Sequence, residues 1–184
     1  AYYKNNGMKI KSCTNFGEVS GTTAVGGVVG FNCADIEGCE NTGTVTGMGT
    51  SIGGIVGEQQ NTGNVADCHN SAAVINKGNG QYGTGGIVGW IRYSGGDAYY
   101  NKSLITVSGC SNSADVKGGT GVAGIVGMIY TYATVDRCTN TASILESNSN
   151  GFVSGIANHQ SDKGNIVSAL GDPKVIISNN ISTT

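Results

Sequence analysis

Charge, proline and helix-forming runs are all scarce in this 184-residue chain. Charged residues make up 12%, proline occurs once (Pro173) and tryptophan once (Trp90). The net charge is −2 and the ten basic residues are scattered, which leaves no electrostatic footprint for nucleic acid and no polybasic membrane patch. No apolar run approaches the ~20 residues that span a bilayer. Leu, Met, Glu, Lys and Ala do not cluster, which argues against helices. No G-x-x-x-x-G-K-[ST] phosphate loop occurs, and no C-x₂-C pair accompanies the two histidines, His69 and His159, so zinc has no ligand set. The glycines are not followed by Asp in the rhythm of a calcium β-roll. No cofactor is expected. The opening Ala1-Tyr2-Tyr3 lacks both an initiator Met and an apolar signal region, and reads as a mature or excised fragment of a longer product.

Glycine, at 32 residues, is abundant, and Val, Ile and Thr come in short runs that favour strands. Two strings recur. GG[IV]VG stands intact at Gly26–Gly30, Gly53–Gly57 and Gly85–Gly89, returns as AGIVG at Ala123–Gly127, and is degraded to SGIAN at Ser154–Asn158. C-x-N interleaves with it at Cys13, Cys39, Cys68, Cys110 and Cys138, in steps of 26, 29, 42 and 28 residues. Repeats of this period indicate a solenoid. Each unit offers three short strand segments between Gly or Asn turns, as a parallel β-helix requires. The expected fold is all-β: a parallel β-helix, or β-solenoid, of about five repeats with modified end caps. Residues 1–12 form the N-terminal cap, 13–158 the repeats and 159–184 the C-terminal cap, with Ile166–Leu170 and Val175–Ile177 as closing strands.

In such a stack equivalent residues lie above one another at the ~4.8 Å strand spacing. Val19, Val45, Val74, Val116 and Ile144 make one inward row; Val28, Ile55, Ile87, Ile125 and Ile156 make another. Asn15, Asn41, Asn70, Asn112 and Asn140 fit an asparagine ladder at a turn. Five of the six cysteines share one phase of the repeat. Their near-parallel side chains suit disulfides poorly, which predicts a column of reduced, buried thiols, with Cys33 apart in a loop.

Chemistry has few places to reside. Asp35, Asp67 and Asp136 occupy related phases and are the acids a glycosidase would draw on, since that reaction needs two facing carboxylates; solvated loop acids are the alternative. His69 stands at a position occupied by Thr, Glu, Ser and Thr in the other units, which marks it as outward. The step of 42 residues reflects an insertion between Trp90 and Ser108. Trp90, Arg92, Tyr93, Asp97, Tyr99 and Tyr100 fall in or beside it, with Asn101 and Lys102, and Tyr130 and Tyr132 take the matching stretch of the next unit. Aromatic rings among amide and charged neighbours suit stacking on sugars or a protein hot spot. The alternative is that they pack on one another beneath the loop.

The pattern GGIVG-x-x-x-x-G-x-I-x-x-C-x-N-x-G-x-V-x-G resembles the GLUG repeat, here over roughly residues 10–160; Gly53–Gly57, Gly63, Val65, Cys68 and Asn70 carry it in one unit. Gly26–Gly30, Ile36, Cys39, Asn41, Gly43, Val45 and Gly47 carry it in another. The resemblance implies a bacterial cell-surface or secreted protein in which such repeats serve as stalks or adhesive segments. No H-E-x-x-H is present, so any peptidase activity of such a protein would lie elsewhere in a parent chain; the expected role here is non-enzymatic, adhesion or ligand display through the loops, with a glycan or host surface protein as partner. A structural stalk, or a fibre subunit associating end to end, is the second reading; a carbohydrate-active enzyme on a β-helix is the third. Localisation is expected to be extracellular or at the bacterial surface.

Overall fold

Short Val-, Ile- and Thr-rich segments broken by glycine favour brief extended pieces, and every regular element among the described residues is a β-strand. The computed structural model describes residues 7–61, 63–78, 83–92, 105–147, 151–159, 175–178 and 180–183. No helix in them is long and apolar enough to cross a membrane. The first coil comprises β1 (Lys9–Lys11), β2 (Thr14–Asn15), β3 (Val19–Gly21), β4 (Val25–Gly26) and β5 (Val29–Asn32). Each founds a parallel sheet in which the next strand comes from the following repeat. The sheets on β1 and β2 are six strands deep and the other three are five deep. The chain is therefore the expected parallel β-solenoid.

A coil holds five strands where three segments were expected, because two of the three break at corners. Left-handed residues form one column of corners between the β1 and β2 sheets: Ser12, Gly38, Asp67, Gly109 and Arg137, with φ of 52°, 61°, 51°, 64° and 50°. A second column, Ala24, Ser51, Gly83 and Gly121, precedes the β4 sheet. Only two of the five residues in the first column and two of the four in the second are glycine, so glycine spacing alone does not mark these corners.

Both expected apolar rows exist. Val19, Val45, Val74, Val116 and Ile144 pair in register. Val28, Ile55, Ile87, Ile125 and Ile156 stack at the corner between the β4 and β5 sheets, where each of the first four amides donates to the next carbonyl of the row at 3.0 or 3.1 Å. They belong to two separate cores. One gathers the β1 and β5 sheets with the cysteine column; the other lies between the β3 and β4 sheets.

The asparagine ladder lies between the two cores. Asn15 Nδ2 donates to Asn41 Oδ1, Asn41 to Asn70, Asn70 to Asn112 and Asn112 to Asn140, at 2.7, 2.8, 2.7 and 2.9 Å. The second Nδ2 hydrogen goes to the carbonyl two residues on, at Gly17, Gly43, Ala72, Ala114 and Ala142. Opposite the ladder runs the second glycine of GG[IV]VG. A Cβ on Gly54 would stand 2.1 Å from Gly86 O and 2.5 Å from Asn70 Cγ, and one on Gly86 would meet Gly124 O and Asn112 Cγ at the same distances. The two recurring strings of the sequence are thus the two halves of one contact.

The cysteines are free thiols. Cys39, Cys68, Cys110 and Cys138 are buried and Cys13 is exposed at the first rung. Beyond the last unit, Val175–Ser178 pairs with Ala133–Asp136 and Ile181–Ser182 with Thr139–Asn140, as sixth rungs. Asn180 takes the cysteine position there. Its Oδ1 accepts from Cys138 N at 2.8 Å and its Nδ2 donates to Val135 O at 3.0 Å. Ile166–Leu170 lies outside the described residues.

An internal member of the ladder should matter more than its exposed end. Asn112→Ala removes one amide and strands Asn70 Nδ2 and Asn140 Oδ1 in the interior, a loss of about 3 kcal/mol from one to three per unsatisfied group. Asn15→Ala, at the open rung, should cost about 1 kcal/mol. Urea unfolding of both variants checks the contrast; equal losses would mean that the ladder does not act as a buried unit.

Candidate functional site

The strands of the β5 sheet are the longest and most varied of the coil. After Val29–Asn32 come Val56–Gln60, Val88–Arg92, Val126–Ile129 and Ala157–His159. Their first valines stack into the core. Two positions further on, Phe31, Glu58, Trp90 and Met128 share a column, and Gln60 registers with Arg92. Four chemically different side chains at one position contrast with the uniform valine–isoleucine, asparagine and cysteine columns.

Glu58 is the centre of a polar cluster. Its carboxylate is only 4% exposed. Oε1 accepts from Arg92 Nε at 2.5 Å and from Gln60 Nε2, and Oε2 accepts from Ser51 Oγ at 3.3 Å. The strand register delivers Gln60 and Arg92 side by side, and the left-handed corner delivers Ser51. A buried carboxylate requires such compensation, since an unpaired charge in the interior is far costlier than an unpaired neutral group. Gln60 is itself 1% exposed, and its Oε1 has no hydrogen-bond partner among the described residues.

Arg92 also covers Trp90. The guanidinium carbon lies 4.6 Å from the centroid of the indole, within cation–π range. Tyr130 meets Trp90 perpendicularly, with centroids 6.2 Å apart and an interplanar angle of 86°. Such an edge contact adds about 1 kcal/mol beyond area burial. Tyr130 is held by its own amide, which donates to Ile91 O at 2.8 Å, and remains 38% exposed.

Of the residues expected at a site, the structure brings together Trp90, Arg92 and Tyr130. Tyr132 is half-buried and marks where the insertion rejoins the ladder, its carbonyl accepting from Ile105 N at 3.2 Å. Tyr93, Asp97, Tyr99 and Tyr100 lie outside the described residues. Sequence reasoning missed Glu58, Gln60 and Ser51. The signal was present: with the units in phase, Glu58-Gln59-Gln60 stands opposite Trp90-Ile91-Arg92, the one place where three polar residues follow GG[IV]VG.

The other candidates separate. Asp35 pairs with Lys9 and accepts from Asn64 N at 2.9 Å; Asp136 pairs with Ser108; Asp67 sits in the left-handed corner column. The three acids occupy three different columns. His69 is exposed, with Nδ1 2.7 Å from Ser111 Oγ. Among the described residues no three His, Cys, Asp or Glu side chains gather as metal ligands.

Arg92→Ala should unfold the domain more easily by about 2 kcal/mol, less than the 3–5 expected when a fully buried pair is broken, because Arg92 is partly exposed. Arg92→Lys, which keeps the charge but loses the planar stack on Trp90, should recover only part of this. Thermal melts of the two variants decide the matter, and an unchanged melting point in Arg92→Ala would show that the Glu58 cluster does not depend on this pair.

The family model of the GLUG motif matches twice, over residues 21–46 and 48–75. No curated protein and no solved structure shows significant similarity to the chain. The matched segments cover the second and third rungs of the cysteine and asparagine columns, whose register then continues unchanged through Asn112 and Asn140. The chain carries two matched GLUG motifs within a longer run of repeats, and those repeats stack as a parallel β-solenoid.

Proposed function

We propose that this solenoid is a non-enzymatic display scaffold that acts in adhesion at a bacterial surface or after secretion, with the insertion following Arg92 as its contact. The observation that carries the reading is the anchoring of that insertion. Arg92, the last strand residue before it, is tied at once to Glu58 and to the face of Trp90, and Tyr130 closes on the same ring from the next rung. A loop with its root fixed loses less conformational entropy when it binds, and aromatic rings with amide and charged neighbours suit a glycan or a protein surface. Separation of Asp35, Asp67 and Asp136 into different columns favours display over glycoside hydrolysis, which needs paired carboxylates.

A spacer role is the second reading, and the same ring supports it. Arg92 already occupies one face of Trp90 and Tyr130 contacts it too, so less of the indole remains for a ligand. A glycan array probed with the intact domain and with a Trp90→Ala/Tyr99→Ala/Tyr100→Ala variant tests both. The expected result is binding by the intact domain that falls at least tenfold in the variant, with circular dichroism confirming that the β-fold persists. No binding by the intact domain to glycans or to host surface proteins would overturn adhesion and leave the spacer.

A further inference from the structure

Five free thiols stack along one edge of the larger core. Cys13, Cys39, Cys68, Cys110 and Cys138 immediately precede Thr14, Glu40, His69, Ser111 and Thr139, which pair rung upon rung. Their sulfurs are therefore in single file. Cys39, Cys68 and Cys138 are 0% exposed and Cys110 is 1% exposed. Cys13 N donates to Cys39 Sγ at 3.5 Å, and the thiols of Cys39, Cys110 and Cys138 each reach a carbonyl of the preceding rung, at Ile10, Val65 and Val107, at 3.7–3.9 Å. Each of the five thiols also donates to the carbonyl two residues back, at 3.2–3.6 Å. The file is open at exposed Cys13 and ends at Asn180, which has no thiol.

We propose that this column is a binding site for soft divalent d¹⁰ ions of the mercury(II) type, each held linearly between the sulfurs of two successive rungs. Two metal–sulfur bonds of ~2.3 Å laid end to end span ~4.6 Å, close to the ~4.8 Å rung spacing. Each binding event converts two thiols and one divalent ion into a neutral bis-thiolate and two released protons. Neutrality matters, because the site lies in an apolar core where a net charge is strongly opposed. A monovalent soft ion between two thiolates would leave one negative charge there. Zinc fails for a different reason: it takes four ligands in a tetrahedron, and a single file offers two. Thiolate softness supplies the remaining selectivity.

The single file makes a counting prediction. Five sulfurs in a row hold at most two ions when each ion takes two neighbours. The folded chain, carrying Cys33→Ser to remove the thiol outside the column, is titrated with mercuric chloride. An excess of 2-mercaptoethanol is present so that singly bound ions are stripped, and native mass spectrometry counts what remains. The expected count is two, with the β-sheet dichroism retained and the melting temperature raised. Removing the second or fourth sulfur, by Cys39→Ser or Cys110→Ser, should lower it to one. Removing the first, third or fifth, by Cys13→Ser, Cys68→Ser or Cys138→Ser, should leave it at two. One ion per thiol, a count indifferent to this alternation, equal retention of zinc, or loss of the fold on binding would each overturn the proposal. Cys13→Ser and Cys39→Ser lie nearest the open end and keep the test available should an interior variant fail to fold.

Discussion

A side-chain amide has two donor hydrogens and an acceptor oxygen, and in water it gains little from meeting its own kind. Stacked at the strand spacing inside a protein, it can satisfy its neighbour and its own turn together. That is the arrangement from Asn15 to Asn140, where each Nδ2 bonds the next oxygen down the stack and the carbonyl two residues along. The ladder would be a polar fault through the molecule if anything bulky faced it. Gly27, Gly54, Gly86 and Gly124 let opposite backbone close upon it, and a Cβ at any of them would stand no more than 2.5 Å from an asparagine side chain. The contact is a waist that divides the section into two apolar cores. Isoleucine, valine and cysteine fill both, with alanine at Ala133 and Ala157.

A ladder of this kind raises a problem at its last rung, where donors and carbonyls lose the copy below. Asparagine solves it twice at the C-terminal side. In SGIAN the final glycine of the repeat has become Asn158, whose Nδ2 reaches Val122 O, Gly127 O and Phe152 O. The pairing of Val126–Ile129 with the last strand of the β5 sheet shifts register there. In the cysteine column Asn180 takes the part of the next thiol: it accepts from Cys138 N as Cys39 Sγ accepts from Cys13 N, and it donates to Val135 O as Cys138 Sγ donates to Val107 O. A repeat that reads as degraded has instead exchanged backbone bonding for side-chain bonding, since the asparagine supplies the bonds that the next backbone would have made.

Strand stacking, both valine–isoleucine rows, the asparagine ladder and the free thiols were legible in the sequence because each is a property of one residue repeated at one period. Features that depend on two periods at once were not. The corners between the β1 and β2 sheets carry Ser12, Asp67 and Arg137 as readily as glycine. Their left-handed backbone is imposed by the ladders on either side rather than by local preference, against a cost of about 1 kcal/mol or more for a residue with a Cβ. Glu58 was hidden for the opposite reason. It occurs once, so no repetition announces it, and only its place opposite Trp90 in the register reveals that it meets Arg92 from the next rung.

That contrast separates the positions that the stack holds fixed from those that it leaves free to vary. Positions inside the ladder are fixed by what the neighbouring coil requires, so they repeat. The column Phe31, Glu58, Trp90, Met128 does not repeat, although its backbone pairs as regularly as any other. Divergence there costs the stack little provided each rung finds its own compensation, as Glu58 does with Gln60, Arg92 and Ser51. The longest insertion departs from this column after Arg92 and returns to the ladder at Ile105, whose amide is held by Tyr132 O. Both ends are therefore anchored to rungs that would remain ordered without it. Because the entropy of closing a loop grows only slowly with its length, anchored ends allow that insertion to lengthen and vary while the coil beneath it stays the same.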